Sequence, residues 1–245
     1  MNNLTEIFSQ NVLIDENTKI LDDPVRHCIK KNFLPYDVAI GMYNEIKQID
    51  NTLLKHFTRN GSNMYELIGN YNVIPIAFNL IGYLNSGSFL KSLEDVTGIK
   101  GLISDPYILG AGYSKIYNGD RIKVHTDFNW NDNLKLHRAC SLIIYLSPDW
   151  KEEYGGALDF YDKFGENIVS TVPCLFNTCL IWNYNKFGFH GCTQPVQCPS
   201  DKFRAAFRLF YYTSNSTFKE DDPPHRSQYW KDNKTNLPYD IKGYK

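Results

Sequence analysis

Asp105-Pro-Tyr-Ile-Leu-Gly-Ala-Gly-Tyr-Ser-Lys-Ile-Tyr117-Asn-Gly-Asp120-Arg-Ile-Lys-Val-His125-Thr-Asp127 is the stretch where this chain changes character. Upstream of it, apolar residues recur at helical spacing; from it onward they fall into strand-sized runs bounded by turns. Inside it, Asn118-Gly119-Asp120 divides a strand predicted over Ile108–Tyr117 from one over Ile122–Asp127. Further strands are predicted over Arg138–Leu146, Ala157–Tyr161, Ile168–Val172, Cys179–Asn183, Phe189–Thr193 and Phe203–Thr213. Gly155-Gly156, Phe164-Gly165 and Gln194-Pro195 mark breaks between several of them. Short strands in this number, behind a helical N-terminal third, predict a mainly β fold with flanking helices, a jelly roll or related barrel.

Working outward, Tyr36 to about Phe57 places Val38, Met42, Ile46, Ile49, Leu53 and Leu54 mostly three and four apart, an amphipathic helix. Pro35 suits its start, because the missing N–H has no intrahelical partner there. A second helix is predicted over Ser86–Thr97, and Asn60–Asn72, rich in Gly, Asn and Tyr, reads as a loop. The tail from Ser214 to Lys245 is polar, contains Pro223-Pro224 and is expected to be irregular. The expected organisation is one domain: a helical portion over 1–104 packing on the barrel, a core over 105–213 and a C-terminal extension over 214–245.

Composition narrows the function classes. With 42% hydrophobic and 22% charged residues, the 245-residue chain reads as soluble and globular, and its 15% aromatic content suits strands. A formal net charge of -1 gives no reason to expect nucleic acid as a partner. No apolar run approaches the roughly 18 residues of a membrane span, and no export signal is read, so no membrane and a cytoplasmic setting are expected. The six cysteines, Cys28, Cys140, Cys174, Cys179, Cys192 and Cys198, are then expected as reduced thiols. A zinc site built from Cys174, Cys179, Cys192 and Cys198 is disfavoured, their spacings being wider than those of short zinc-binding pairs. No Gly-x-Ser-x-Gly elbow occurs, and Gly110-Ala-Gly112 lacks the rest of a dinucleotide fingerprint.

The chemistry concentrates in a few residues. Residues i and i+2 of a strand point the same way, so His125 and Asp127 present an imidazole and a carboxylate to one face. His190, on another predicted strand, completes a two-histidine, one-carboxylate set of the kind that leaves iron with open positions. The His-x-Asp spacing alone is weak, and any single histidine is more often structural. The order of the whole set carries the reading, because Arg204 follows at the opening of an aromatic strand ending at Tyr212. A cation inside a barrel strand is costly unless it meets an anion, and guanidinium grips a carboxylate through two parallel hydrogen bonds. Lys202, Arg204 and Arg208 share parity on this strand. Register with its aromatic end favours Arg204 as the anchor, then Arg208, then Lys202.

Residues from about Asp105 to Thr213 resemble the prolyl-4-hydroxylase-like branch of the 2-oxoglutarate/Fe(II) oxygenases. The match runs through Tyr117-Asn-Gly-Asp120, His125-Thr-Asp-Phe-Asn129, Arg138, Leu142-Ile-Ile-Tyr-Leu146, Asp149-Trp150, Gly155-Gly-Ala-Leu158, the His190 block and Arg204 to Tyr212. Upstream, Lys31-Asn-Phe-Leu-Pro35 looks like the lead into that family's N-terminal helices. One departure is the extra Cys198-Pro-Ser-Asp-Lys202 between His190 and Arg204. The resemblance implies a double-stranded β-helix, with His125, Asp127 and His190 as iron(II) ligands. It implies Arg204 as the anchor of the cosubstrate 2-oxoglutarate, with Tyr145 and Tyr117 beside it and ascorbate as a candidate reductant.

The activity it implies is hydroxylation coupled to decarboxylation of 2-oxoglutarate to succinate, on a prolyl residue in a peptide or protein. A free amino acid or small metabolite is the alternative substrate, and a non-catalytic jelly-roll binding module the alternative of another class. Asp127 argues against halogenation, which needs a small residue there. An apolar wall from Leu142, Ile144, Leu180 and Trp182 is expected to keep the pocket dry. Asn60–Asn72, Phe128–Leu136 and the tail are candidates to frame a substrate groove, though ordinary surface loops are an equal reading.

Overall fold

The computed structural model describes residues 13–67, 69, 71–214 and 222–229. Strands β1 (Thr18–Leu21) and β2 (His27–Lys30) precede helix α1 (Tyr36–Gln48), and β3 (Lys55–Arg59) and β4 (Ser62–Glu66) follow it. Helices α2 (Pro75–Leu84) and α3 (Gly87–Thr97) lead to β5 (Leu102–Ser104), β6 (Gly112–Ile116), β7 (Ile122–Thr126) and β8 (Trp130–Asn131). The chain continues through β9 (Leu136–Tyr145), β10 (Leu158–Tyr161), β11 (Ile168–Val172), β12 (Thr178–Asn183), β13 (His190–Cys192), β14 (Arg204–Thr213) and β15 (Gln228–Tyr229).

Two antiparallel sheets result. The larger runs β1-β2-β12-β9-β14-β6-β4-β3, with β5 on β14 and β8 on β9; the smaller runs β11-β10-β13-β7-β15. Strands β9 and β14 are buried on both faces, so they read as near-continuous apolar runs rather than alternating ones. Their alternate residues still have distinct destinations. Leu142, Ile144, Phe207 and Leu209 join Met42, Ile46, Leu80, Phe89 and Leu93 of the helices in one core. Ile143, Tyr145 and Ala206 instead meet Leu158, Phe160, Leu180 and Trp182 between the sheets. The helices thus cover the outer face of the large sheet, and the inner face is left to build a chamber. This is the expected mainly β jelly roll with flanking helices.

Each of the eight strands read from the sequence is present, with ends shifted by up to a few residues. The N-terminal third departs from expectation. The helix expected to reach Phe57 stops at Gln48; Asp50 caps a short turn over Asn51–Leu53, and Lys55–Arg59 is a strand. The segment expected as a loop from Asn60 contains β4. Asn60 (φ 51°) and Gly61 (φ 78°) both lie in the left-handed region, the two-residue turn that matches strand twist in hairpins. The β3–β4 hairpin joins the large sheet through Tyr65↔Lys115 and Glu66↔Ser114. The first 104 residues therefore contribute strands β1 to β5 as well as helices, and β15 lies within the tail expected to be irregular. The rest of that tail, apart from 222–229, is outside the described residues.

All six cysteines are buried and free. Burial pushes the thiols of Cys28 and Cys174 up to about 11, unlike the thiolates a zinc site requires. Among the described residues no helix is long and apolar enough to cross a membrane.

Phe207 is fully buried where β14 meets the helices and packs edge-on to Tyr113 at 5.3 Å. Phe207→Ala is expected to lower unfolding free energy by about 3–5 kcal/mol, measured by urea denaturation of the full chain.

Candidate metal and cosubstrate site

A cavity of about 250 Å³ lies between the sheets, lined in part by His125, Asp127, Arg138, Trp182, His190 and Arg204. His125 sits on β7 and His190 on β13, directly opposite each other in the antiparallel ladder. Their rings are 4.6 Å apart, centre to centre. Asp127, two residues after His125, turns to the same side, 3.9 Å from His125 Nε2 and 3.8 Å from His190 Nε2. The three donor atoms lie within 4.8 Å of one another, the one such group of His, Cys, Asp or Glu among the described residues.

The surroundings prepare each donor. His125 Nδ1 contacts the carbonyl oxygen of Lys123 at 2.8 Å, and His190 Nδ1 that of Gly188 at 2.9 Å. A carbonyl only accepts, so each Nδ1 carries the proton and each Nε2 keeps its lone pair for a metal. Burial and the neighbouring His190 hold His125 down at about 4, which keeps it neutral at ordinary pH. Burial alone would raise Asp127, but Arg138 and the two histidines overcome it and hold the carboxyl at about 2. Two imidazoles presenting Nε2 and an ionised carboxylate are the donor set of a divalent transition metal.

Arg138 is the residue whose part the sequence reading missed. It is fully buried, with its guanidinium 3.7 Å from the Phe210 ring centre and 4.3 Å from that of Phe128. Its Nη2 donates to Asp127 Oδ2 at 3.0 Å and to Ser141 Oγ at 2.6 Å, and Ser141 Oγ donates to the same Asp127 oxygen at 3.2 Å. One carboxylate oxygen is thereby fixed. Arg138 was legible as part of a family pattern; its partner Asp127 comes from another strand and could not be read from spacing.

Arg204 opens β14 at the other end of the chamber. It is buried, its Nε donates to the Gly156 carbonyl at 2.7 Å, and its guanidinium lies 4.9 Å from the Tyr145 ring centre. Among the described residues no carboxylate pairs with it. Tyr145 Oη is buried beside it without a hydrogen-bond partner among the described residues, and burial pushes its pKa up, which keeps the hydroxyl protonated. A buried cation without an anion and an orphaned hydroxyl fit a missing carboxylate. Gly156 explains part of the Gly155-Gly156 signal: at φ 79° a Cβ there would come within 2.8 Å of Arg204 Cδ.

The remaining expected residues are placed as follows. Arg208 lines the same cavity but is ion-paired with Glu66, so it is not the unpaired anchor. Lys202 precedes β14 and is absent from the cavity lining. Tyr117 does not reach the cavity; its hydroxyl donates to Asn51 Oδ1 at 3.0 Å, and its ring packs on Tyr65 and Phe203. The reason is parity: Ile116 faces the chamber, so its neighbour faces away. The dry wall needs the same correction, because Leu142 and Ile144 point to the helices while Trp182 lies 5.4 Å from the His190 ring.

Residues 111–212, somewhat under half of the chain, match the sequence model of the 2OG-Fe(II) oxygenase superfamily. Over those residues the chain is similar to the 2OG-Fe(II) oxygenases. No curated protein matches the chain. Among solved structures, a prolyl hydroxylase from Trichoplax adhaerens, in complex with a hypoxia inducible factor peptide fragment, superposes with a TM-score of 0.57. It is 18% identical, over 76% of this chain and 83% of that one. A prolyl-4-hydroxylase from Pseudomonas putida gives 0.55 at 13% identity, over 77% and 93%. HygX from Streptomyces hygroscopicus, with nickel, 2-oxoglutarate and hygromycin B bound, gives 0.53 at 11% identity, over 82% and 92%. At these identities the likeness is one of fold, and it agrees with the resemblance carried by residues 105–213.

Removing the Ser141 hydroxyl takes one bond from Asp127 and leaves Arg138 in place. Ser141→Ala is expected to weaken divalent metal binding by about 10–100-fold, read by calorimetric titration with manganese(II).

Proposed function

We propose that this chain is an oxygenase that hydroxylates its substrate at a carbon, with His125, Asp127 and His190 holding iron(II) and Arg204 and Tyr145 holding 2-oxoglutarate. The observation that carries this reading is that the three convergent donors and the buried, unpaired Arg204 line one cavity. Iron(II) with 2-oxoglutarate, held by these residues, would supply oxygen activation, with one oxygen atom ending in succinate beside released carbon dioxide and the other in the hydroxylated substrate.

The chain's own residues do the rest. Arg204 binds the far carboxylate of 2-oxoglutarate through paired hydrogen bonds, and the Tyr145 hydroxyl donates to the same group. The Gly156 carbonyl and the Tyr145 ring hold the guanidinium, so the cosubstrate is oriented before reaction. Arg138 and Ser141 keep Asp127 in one rotamer and ionised. Ile116, Ile143, Leu158 and Trp182 exclude water between the anchor and the donor set.

For the substrate we propose a prolyl unit, on the strength of the prolyl-4-hydroxylase-like resemblance. A peptide or protein is the first form considered. The small volume of the cavity favours the second form, a free amino acid or other small metabolite. The described parts of residues 1–104 and 214–245 are proposed to belong with the 105–213 core to one domain.

The test is succinate formation by anaerobically prepared protein given iron(II), 2-oxoglutarate and air. Turnover is expected to vanish in His125→Ala. Arg204→Ala and Gly156→Ala are expected to need at least about tenfold more 2-oxoglutarate, the scale of a lost charged hydrogen bond. Absence of both turnover and 2-oxoglutarate binding in the iron-loaded protein would favour the non-catalytic binding module instead.

A further inference from the structure

A second charged pair lines the cavity, and the handling of iron and 2-oxoglutarate does not use it. Arg208 of β14 and Glu66 of β4 are ion-paired there, with side chains 18% and 7% exposed. Their neighbours on the wall are Phe57, Met64, Phe128 and Phe210. Removing an ion pair from water costs stability, and a well-packed apolar pair does at least as well structurally. The pair therefore calls for a polar partner.

Its open valences indicate which one. Arg208 Nε donates to the Gly110 carbonyl at 3.1 Å and one terminal nitrogen meets Glu66, while the other, Nη1, touches only Met64 Sδ at 3.8 Å. The second Glu66 carboxylate oxygen has no hydrogen-bond partner among the described residues. A cationic donor and an anionic acceptor thus stand side by side, each with one position unfilled. Charge-assisted hydrogen bonds are about twice as strong as neutral ones, so the ligand that gains most carries a carboxylate and an ammonium on one carbon. The pair also lies within a cavity of about 250 Å³ that 2-oxoglutarate must share. That is below the roughly 300–1,000 Å³ of ordinary small-molecule sites, leaving little room for a polypeptide to thread through.

We infer that Arg208 and Glu66 form the recognition site for the head group of a free α-amino acid substrate, Arg208 taking the carboxylate and Glu66 the ammonium. This rests on the proposal that the cavity is an oxygenase chamber. It names the substrate class as a free amino acid or imino acid rather than a residue inside a chain.

The experiment measures binding to protein loaded with manganese(II) and 2-oxoglutarate, and iron-dependent 2-oxoglutarate consumption. The probes are the twenty common amino acids, followed by the carboxamide and N-acetyl forms of whichever binds. L-proline, L-prolinamide, N-acetyl-L-proline and Gly-Pro-Gly are included from the start. A free amino acid is expected to bind and to stimulate consumption, with either blocked form at least about tenfold weaker. In Arg208→Met the preference for acid over amide is expected to disappear. In Glu66→Gln the preference for free over acetylated amine is expected to disappear. The double variant Glu66→Met/Arg208→Met, which leaves no unpaired charge, is expected to fold, bind 2-oxoglutarate normally and lose both preferences. If no free amino acid binds, if Gly-Pro-Gly binds as tightly as the free acid, or if the double variant keeps both preferences, the inference is overturned. Basal iron-dependent consumption that persists through such a failure leaves the oxygenase reading standing; loss of consumption and of 2-oxoglutarate binding in the unaltered protein removes both.

Discussion

The antiparallel pairing of β7 with β13, with His125 opposite His190, is the constraint on which the rest of the site depends. Side chains alternate along a strand, so a slip of one residue would send an imidazole to the opposite face and dissolve the donor set. Two features hold the register. A bulge lies between His190 and Cys192, and Gly191 there has no side chain because a Cβ would come within 2.8 Å of the Ile122 carbonyl oxygen. The tail adds β15 to the free edge of β7, pairing Tyr229 with His125 and Gln228 with Thr126. The ligand-bearing strand is therefore flanked on both sides rather than left as a sheet edge, where pairing is weakest.

A second organising feature is the treatment of three cations turned into one chamber. Arg138 is matched by Asp127, Arg208 by Glu66, and Arg204 by no carboxylate among the described residues. A buried charge persists in a fold only where something compensates it. The first pair supports the donor set, and the unpaired guanidinium is the one proposed to meet a dianion. The middle pair is compensated internally yet retains open hydrogen-bonding positions. On the proposed reading the three arginines divide the chamber into a metal support, a cosubstrate anchor and a substrate face.

How much of this was legible in the sequence follows from how local each signal is. The β strands after Asp105 were readable because apolar runs and turn residues lie within a few positions of one another. His125 and Asp127 were readable because a two-residue spacing fixes their common face. Arg204 could be preferred over Arg208 only from register, and the physical distinction, the Glu66 partner, lies on β4, remote in sequence. Tyr117 was misplaced because it stands one residue beyond the end of β6, where parity depends on an exact boundary. The β3–β4 hairpin did carry its signal, Asn60-Gly61, but the short polar strands on either side lack the apolar alternation that would have supported it.

That hairpin shows why substrate choice is harder to read than chemistry. The donor set and Arg204 come from barrel strands whose burial imposes strong patterns on the sequence. Phe57, Met64 and Glu66 come from a hairpin outside the recognised segment, Phe128 from the stretch after Asp127 and Ser227 from the tail. These elements answer to the ligand as well as to the core, so hydrophobic periodicity constrains them weakly. Glu66 reaches the chamber because β4 pairs with β6 at Ser114, and Arg208 because β14 pairs with β6 at Gly112. On the proposed reading, substrate recognition depends on a hairpin contributed by the N-terminal third. Exchange of that hairpin, with the barrel untouched, is the simplest physical route by which the same oxygen chemistry would be turned to a different substrate.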